Sequence, residues 1–484
     1  METFVYRDLG KPFNEWFDWV IREAELYDYG RYPAKGMGIW LPYGFKLRKN
    51  VIELIRELLD SAGHEEILLP LLIPYNIIIK ESEHIQGFEG QLYWVTHGGY
   101  EPLDVKLALR PTSETPLSYM EALWIKSYKQ LPKKYYQIGS IFRYETKATR
   151  PLLRVREVTT FKEAHTVHED FKDCERQVKE AIDVYKKFFD KLGIPYIISK
   201  RPEWDKFAGA IYTIAFDTLL PDGKALQIGT VHNLGQNFSK VFEVRIQRRD
   251  ESIDYAWQTS YGISERVIAS IIAIHGDSKG LILPFKVAPI QVIIVPIPAG
   301  SEEKKKAVVE HAIKLKECLL NEGFRVDVDL REDITPGEKF YIWELRGVPL
   351  RVDLGPKELE GGYVTVARRD TGEKIKVSID ELPEALRQLG KQVDSELSRR
   401  AWEAFKRKIR RASSINEAKE YLSKERGIVE IAWCGKSECA LKISEILEAD
   451  ALGTPLDVEV SVDGQHCPIC GAKAATIMRY AKKY

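Results

Sequence analysis

The sequence predicts a multidomain chain of mixed α+β and α/β class. A large antiparallel-sheet core (residues 1–284) is followed by a smaller α/β domain (285–400) and a cysteine-bearing C-terminal domain (401–484). Three observations lead there. A chain of 484 residues exceeds one ordinary hydrophobic core, so two to four domains are expected. Between 195 and 247, runs alternating apolar and polar residues follow one another with no crossover helix, which favours antiparallel pairing over a doubly wound sheet. Near PFKVAPI the pattern changes to alternating strands and helices, and four of the six cysteines lie from 434 onward.

The elements follow in order. Helical periodicity runs through FNEWFDWVIREAELYDY and GFKLRKNVIELIRELLDSAG, with Gly63 closing the second helix. HEEILLPLLIP (64–74) reads as one short strand stopped by prolines. From 91 to 165, β-rich runs surround a single helix, ETPLSYMEALWIKSYKQL. A helix at about 169–192 ends at Gly193-Ile194-Pro195. IPYIISK, AIYTIAFDTLLPDGKALQIGTVHNL and KVFEVRIQRRD read as strands, with Pro221-Asp222-Gly223 turning a hairpin. The apolar-faced helix ERVIASIIAIHG completes the core. QVIIVPIP, a helix at about 301–322, FRVDVDL, a segment around 338–346, PLRVDLG and YVTVARRD form the β-α-β-α-β-β domain. The helix RRAWEAFKRKIRRA (399–412) follows, with seven Lys or Arg against one Glu.

Composition narrows the function classes. Lys plus Arg and Asp plus Glu are each 72, so a polyanionic partner must be held by local patches. Apolar content of 44% and aromatic content of 11% exclude a disordered chain. No run of about 18 uncharged apolar residues occurs, and METFVYRDLGKPFNEW carries charges where a signal peptide needs an apolar stretch. A soluble, cytoplasmic protein with no membrane partner is expected.

Cys434-x4-Cys439 and Cys467-x2-Cys470 form two close pairs separated by an ordered segment. That spacing suits a structural Zn²⁺ held by four thiolates, each pair on its own turn and with no open position for chemistry. Four reduced surface thiols are the alternative.

The charge pattern of IFRYETKATRPLLRVRE (141–157) is informative because it sets guanidinium groups on an apolar strand. Arg143 and Glu145, two apart, are expected to share a strand face, with a second strand carrying Arg154 and Arg156. Such a hairpin suits bidentate contact with phosphate oxygens. Glu145 then either orients an arginine or accepts a hydrogen bond from a nucleobase. In RPTSET (110–115), Thr112 and Glu114 project together toward a cationic amine. In SYGISERVIASIIAIHGDSKG (260–280), a glycine-bearing loop leads to Arg266, placed to lie over an adenine ring and reach a phosphate.

In this order the clusters resemble the class II aminoacyl-tRNA synthetases, most closely the archaeal/eukaryotic-type prolyl-tRNA synthetases. HEEILLPLLIP resembles motif 1, which builds a homodimer interface; FRYE…RVRE with TTFKEAH resembles motif 2; GISERVIASIIAIHGD resembles motif 3. QIGTVHNLGQNFSKVFEV (227–244) is similar to the proline-enzyme segment, PGEKFYIWELRGVPLRVDLGPKE to the α/β anticodon-binding domain, and CGKSECA with CPICGAKA to the C-terminal zinc domain. The resemblance implies activation of L-proline with ATP and Mg²⁺ and transfer to tRNA(Pro), with alanine or cysteine expected as misactivated substrates. It implies that Arg143 and Arg266 are catalytic, and that Arg143, Glu145, Arg154, Val155, Gln227, Thr230, Gly262 and Arg266 bind ATP. Thr112, Glu114, Arg143, Phe161, Glu163, His165, Phe207, Thr230, His232 and Ser260 would bind proline. Phe161, Phe207, His165 and His232 are otherwise plain core residues. Lys339, Arg351, Lys357 and Arg368 would contact tRNA through a basic face, with Tyr341 and Trp343 as stacking surfaces. RRAWEAFKRKIRRA either follows the phosphate backbone or is a solvated amphipathic helix. The segment between motif 2 and QIGT holds no editing insertion. Two rivals stand beside this reading: a relative that has lost catalysis, and another class II specificity such as threonine or glycine.

Overall fold

The computed structural model describes residues 4–80 and 89–484; the first three residues of the N-terminal stretch lie outside them. Among the described residues the largest sheet has 11 strands. Its order is Ile409–Arg411, Ile428–Trp433, Thr476–Ala481, Asp450–Pro455, Ile197–Lys200, Tyr212–Leu219, Ala225–Gly235, Trp257–Ile263, Glu157–His168, Lys133–Phe142 and Glu65–Glu66. Every pairing is antiparallel except the two at the edges.

Helices Phe171–Leu192 and Arg266–His275 cover one face of this sheet. Phe171–Leu192 begins where the Asp170 side chain accepts from the Asp173 N–H (2.8 Å) and ends at Gly193, whose positive φ of 66° suits a residue without a Cβ. Its buried stripe of Val178, Ala181, Tyr185, Phe188, Phe189 and Leu192 recurs at helical spacing and packs with Phe216, Val231 and Tyr261 of the strands. The opposite face carries the helix Glu114–Trp124 and, beside it, the functional cavity.

The α/β unit is a five-stranded sheet ordered Val326–Val328, Val292–Pro296, Leu350–Leu354, Tyr363–Arg368, Lys374–Ser378. Its first two pairings are parallel and the rest antiparallel.

Five sequence expectations are corrected. HEEILLPLLIP forms two short strands, Glu65–Glu66 and Leu72–Pro74, because its centre bonds to side chains instead of a neighbouring strand. There Leu69 N–H donates to Gln137 Oε1 and Leu69 C=O accepts from Arg110. In KVFEVRIQRRD the strand is confined to Arg245–Gln247, and the first three residues instead finish the helix Asn237–Phe242, whose Phe238, Ser239 and Phe242 are buried at helical spacing. Arg143 and Glu145 lie past the end of the strand Lys133–Phe142, and Arg154 and Arg156 precede Glu157–His168. The connection between them is packed rather than strand-like, with Leu152 and Leu153 buried and Arg150 bridged to Arg154. The basic helix at 399–412 stops at Lys406, the end of the 25-residue helix Leu382–Lys406 that runs through the expected 400/401 boundary; Ile409–Arg411 is a strand. Finally, the C-terminal unit shares the core's sheet through Thr454↔Lys200 and Pro455↔Ser199.

Candidate active site

The pleat of the sheet builds the site. Residues paired across neighbouring strands point to one face, so two transverse rows emerge: Gln137, Glu163, Gly262, Thr230 and Ala215, then Tyr135, His165, Ser260, His232 and Thr213. A cavity of about 370 Å³ opens over Glu163, Gly262 and Thr230 of the first row and Ser260, His232 and Thr213 of the second. Thr112, Glu114, Arg143, Glu145, Arg154, Val155, Phe161, Glu163, Phe207, Gln227, Thr230, His232, Ser260, Gly262 and Arg266 all line it.

At one end lies an anionic pair. Glu163 accepts from Ser113 N–H (3.0 Å), Ser113 Oγ (2.6 Å) and Gln137 Nε2 (3.0 Å), and Thr112 Oγ1 sits 2.8 Å away. Glu114 accepts from Ser260 Oγ (2.7 Å) and from Thr112. These donors lock both carboxylates in place in a nearly dry setting, since Glu114 and Glu163 are buried. Beside them Phe207 stacks on His232 with ring centroids 4.5 Å apart, and His232 Nδ1 is 2.8 Å from Thr213 Oγ1.

At the other end are the guanidinium groups. Arg143 sits 5.7 Å over the Phe161 ring and donates from Nε to Pro111 C=O (3.2 Å). Burial lowers its pKa, opposed by the charges of Glu163, Glu114 and Glu145. Arg266, first residue of its helix, donates to Leu153 C=O (2.9 Å). Burial, followed by the like charges of Arg143 and Arg154, lowers Arg266 to about 10, so it remains a cation at neutral pH. Glu145 pairs with Arg154 (3.5 Å).

Other expected site residues lie elsewhere. His165 does not line this cavity: it sits behind Glu114, facing a smaller one with Glu121 and Gln258. Lys339, Arg351 and Arg368 do not form an open basic face. They are buried, with Lys339 donating to Asp329 C=O (3.0 Å), Arg351 to Asp353 (2.8 Å) and Arg368 to Asp370 (2.8 Å). Burial, and for Arg351 and Arg368 a neutralising aspartate, withdraws these cations from the surface where a phosphate would meet them. Trp343 is core, donating to Asp329 (2.8 Å), whereas Tyr341 and Lys357 are exposed.

The sequence reading missed several supports. Arg201 is buried and donates to Asp217 (2.7 Å), Gln227 Oε1 (3.0 Å) and Leu452 C=O (2.6 Å), tying the cavity wall to the C-terminal unit. Glu265 is buried next to Arg266, accepts from Thr159 N–H (3.1 Å) and Oγ1 (2.9 Å), and is pushed up to about 7 by burial. Ser113 lies within RPTSET, whereas nothing local marks Gln137, Arg201 or Glu265.

In the C-terminal unit, the ligand atoms of Cys434, Cys439, Cys467 and Cys470 lie within 4.8 Å of one another, with 3.7 Å between Cys434 and Cys470 Sγ. Sulfurs about 2.3 Å from a tetrahedral ion are about 3.8 Å apart, so the donor set fits zinc. No helix among the described residues is long and apolar enough to cross a membrane.

Three family models match the chain: tRNA synthetase class II core domain (G, H, P, S and T) at 93–275, anticodon binding domain at 291–389, and prolyl-tRNA synthetase, C-terminal, at 415–484. The chain is 60% identical to a proline–tRNA ligase of Aeropyrum pernix, over 98% of this chain and 97% of that one. It is 58% identical to the proline–tRNA ligase of Sulfurisphaera tokodaii, over 98% of each. Among solved structures, Giardia lamblia prolyl-tRNA synthetase in complex with prolyl-adenylate is similar over 100% of both chains, with TM-score 0.95 and 34% identity. The chain thus belongs to the prolyl-tRNA synthetases, within the class II aminoacyl-tRNA synthetases.

Proposed function

We propose that the chain activates L-proline with ATP, releasing pyrophosphate, and transfers the prolyl group to the 3′ end of tRNA(Pro). One observation carries this: a locked carboxylate pair, Glu114 and Glu163, shares a cavity with the cations Arg143 and Arg266, and an aromatic slot lies beside it. The secondary ammonium of proline docks on Glu114, Glu163 and Thr112, and its ring between Phe161, Phe207 and His232. Its carboxylate then points to Arg143. A carboxylate oxygen forms a bond to the α-phosphorus of ATP, and the bond to the bridging oxygen breaks, releasing pyrophosphate. ATP enters as its Mg²⁺ complex, the ion neutralising phosphate oxygens. Glu145 with Arg154, the Val155 backbone, Gln227, Thr230 and Gly262 hold the nucleotide, and Arg266 covers adenine and the γ-phosphate. The chemistry needs little acid–base help, because positioning and fixed positive charge supply most of the acceleration. Proline-dependent ATP–pyrophosphate exchange against a panel of amino acids tests the reading; stronger exchange with threonine or glycine, or none with proline, overturns it.

Cys434, Cys439, Cys467 and Cys470 would hold a structural Zn²⁺ that cross-links two turns. A homodimer through the motif 1 segment is supported by its exposed apolar side chains, Leu68 at 80%, Leu71 at 40% and Leu72 at 38%. A monomer in sedimentation experiments at micromolar concentration would remove that part. For tRNA, the exposed Lys357 and Tyr341 remain the contacts of choice on the anticodon-binding unit. Binding insensitive to salt would count against phosphate contacts.

A further inference from the structure

The helix Glu114–Trp124 is clamped to the strand Trp257–Ile263 by two rungs. Ser260 Oγ donates to Glu114 Oε1 (2.7 Å), and one pleat earlier Gln258 Nε2 donates to Glu121 Oε2 (2.6 Å) and Ser118 Oγ (3.1 Å). The spacing explains the geometry: residues 114, 118 and 121 share one helical face, and residues 258 and 260 one strand face. Between the rungs is a small cavity of about 10 Å³, lined by Glu114, Ser118, Glu121, His165 and Gln258 among others. Three buried polar atoms of these side chains, Glu121 Oε1, Gln258 Oε1 and His165 Nε2, have no hydrogen-bond partner in the chain. An ionised Glu121 adds only acceptors to that set, whereas a neutral carboxyl supplies an O–H.

We propose that Glu121 is a positioning residue of the amino-acid site. As a neutral carboxyl behind Glu114, it holds the helix that presents Glu114 to the substrate ammonium. This rests on the proline-activating reading above. Burial supports it by pushing Glu121 up to about 7, against the lowering effect of the Gln258 amide. The titratable groups facing it are Glu114 from its own helix, His165 from the strand Glu157–His168 and Tyr135 from the strand Lys133–Phe142, whose hydroxyl Glu121 helps to raise. Gln258 and Thr259 face it from Trp257–Ile263, and the helix's other side packs on Ile77, Phe238 and Phe242. Loss of the proton therefore puts a second negative charge behind Glu114 with no arginine or lysine among these neighbours.

The test is the KM for proline in pyrophosphate exchange, measured from pH 6 to 8.5 for the wild-type chain, Glu121→Gln and Glu121→Leu. A buried group left unsatisfied weakens what depends on it, so Glu121→Leu should raise KM about tenfold with kcat within about threefold. The isosteric amide should restore KM at pH 6 to within about twofold and lose the rise of about fivefold that the wild type shows toward pH 8.5. Groups common to both proteins cancel in that comparison. A Glu121→Gln curve that follows the wild type refutes the proposal, even if Glu121→Leu fails to fold. Wild-type chain that shows no exchange with proline refutes the underlying reading and this inference with it.

Discussion

Replacing Arg143 by alanine removes a cation from the place where adenylate formation concentrates negative charge. Its guanidinium lies over Phe161 at 5.7 Å, lowered in pKa by burial yet surrounded by the charges of Glu163, Glu114 and Glu145. For a phosphate oxygen about 4 Å away and an effective dielectric near 20, the attraction is about 4 kcal/mol. Removing one fixed oxyanion donor costs roughly 2.7–4 kcal/mol in comparable sites. The activation rate should thus fall about 10²–10³-fold. Arg143→Lys, which keeps the charge and loses the planar fork, should fall between the two. Thermal melting should move little, because the side chain stands at a cavity wall and anchors through Nε to Pro111 C=O (3.2 Å). Single-turnover formation of adenylate with saturating proline and ATP is the assay. Activation within tenfold of wild type in a folded Arg143→Ala protein would refute the electrostatic argument.

Other outcomes follow from the same geometry. Glu265 is pushed up to about 7 from its ordinary 4.5, so the stability its protonated form contributes is complete below about 4.5 and lost as pH rises through 7. Glu265→Gln should therefore gain on wild type across that window, by at most about 3 kcal/mol, and a pH-independent gap in denaturant unfolding would refute this. Arg479 is buried and joins Glu430 (2.9 Å), Asp457 (2.6 Å) and Ile198 C=O (3.2 Å), so Arg479→Met should cost about 3 kcal/mol and melt the C-terminal unit first. Unchanged hydrogen exchange in residues 450–481 would contradict it. Cys467→Ser should abolish bound zinc and lower the melting temperature while leaving proline-dependent exchange measurable at low temperature; zinc retained at wild-type stoichiometry would contradict the four-thiolate site. The aromatic slot discriminates against a smaller side chain by only about 1–3 kcal/mol, so exchange with alanine should be detectable, and rapid cis hydrolysis of Ala-tRNA would refute the absence of editing.

Much of the site was legible because its chemistry clusters in short stretches. RPTSET sets Thr112 beside Glu114 and FRYE sets Arg143 beside Glu145 by spacing alone, whereas Glu163, Phe161, Phe207 and His232 came only with the family resemblance. Arg143 and Glu145 reached the cavity by another route, from a packed connection closed by the Arg143 N–H to Arg156 C=O bond (2.9 Å). Burial was the harder quantity. Arg351 and Arg368 looked like a basic face, yet each lies two residues from the aspartate that neutralises it, Asp353 and Asp370, on or just past the same strand. His165 follows Glu163 on the same face, but at its position in the row the helix bearing Glu114 lies over it, whereas Ser260, His232 and Thr213 of the same row line the cavity.

The sequence by itself determined the order of units, the strand and helix periodicities, the four-cysteine cluster and the identity of the charged groups, since each depends on contacts or spacings within a few residues. Tertiary structure decided which of those charges share a cavity, which are neutralised by partners, and that the C-terminal strands extend the core sheet through Pro455↔Ser199. Several of the pairings and buried charges that decide this join residues hundreds of positions apart, such as Arg479 with Ile198 or Arg201 with Leu452, and no local pattern encodes those.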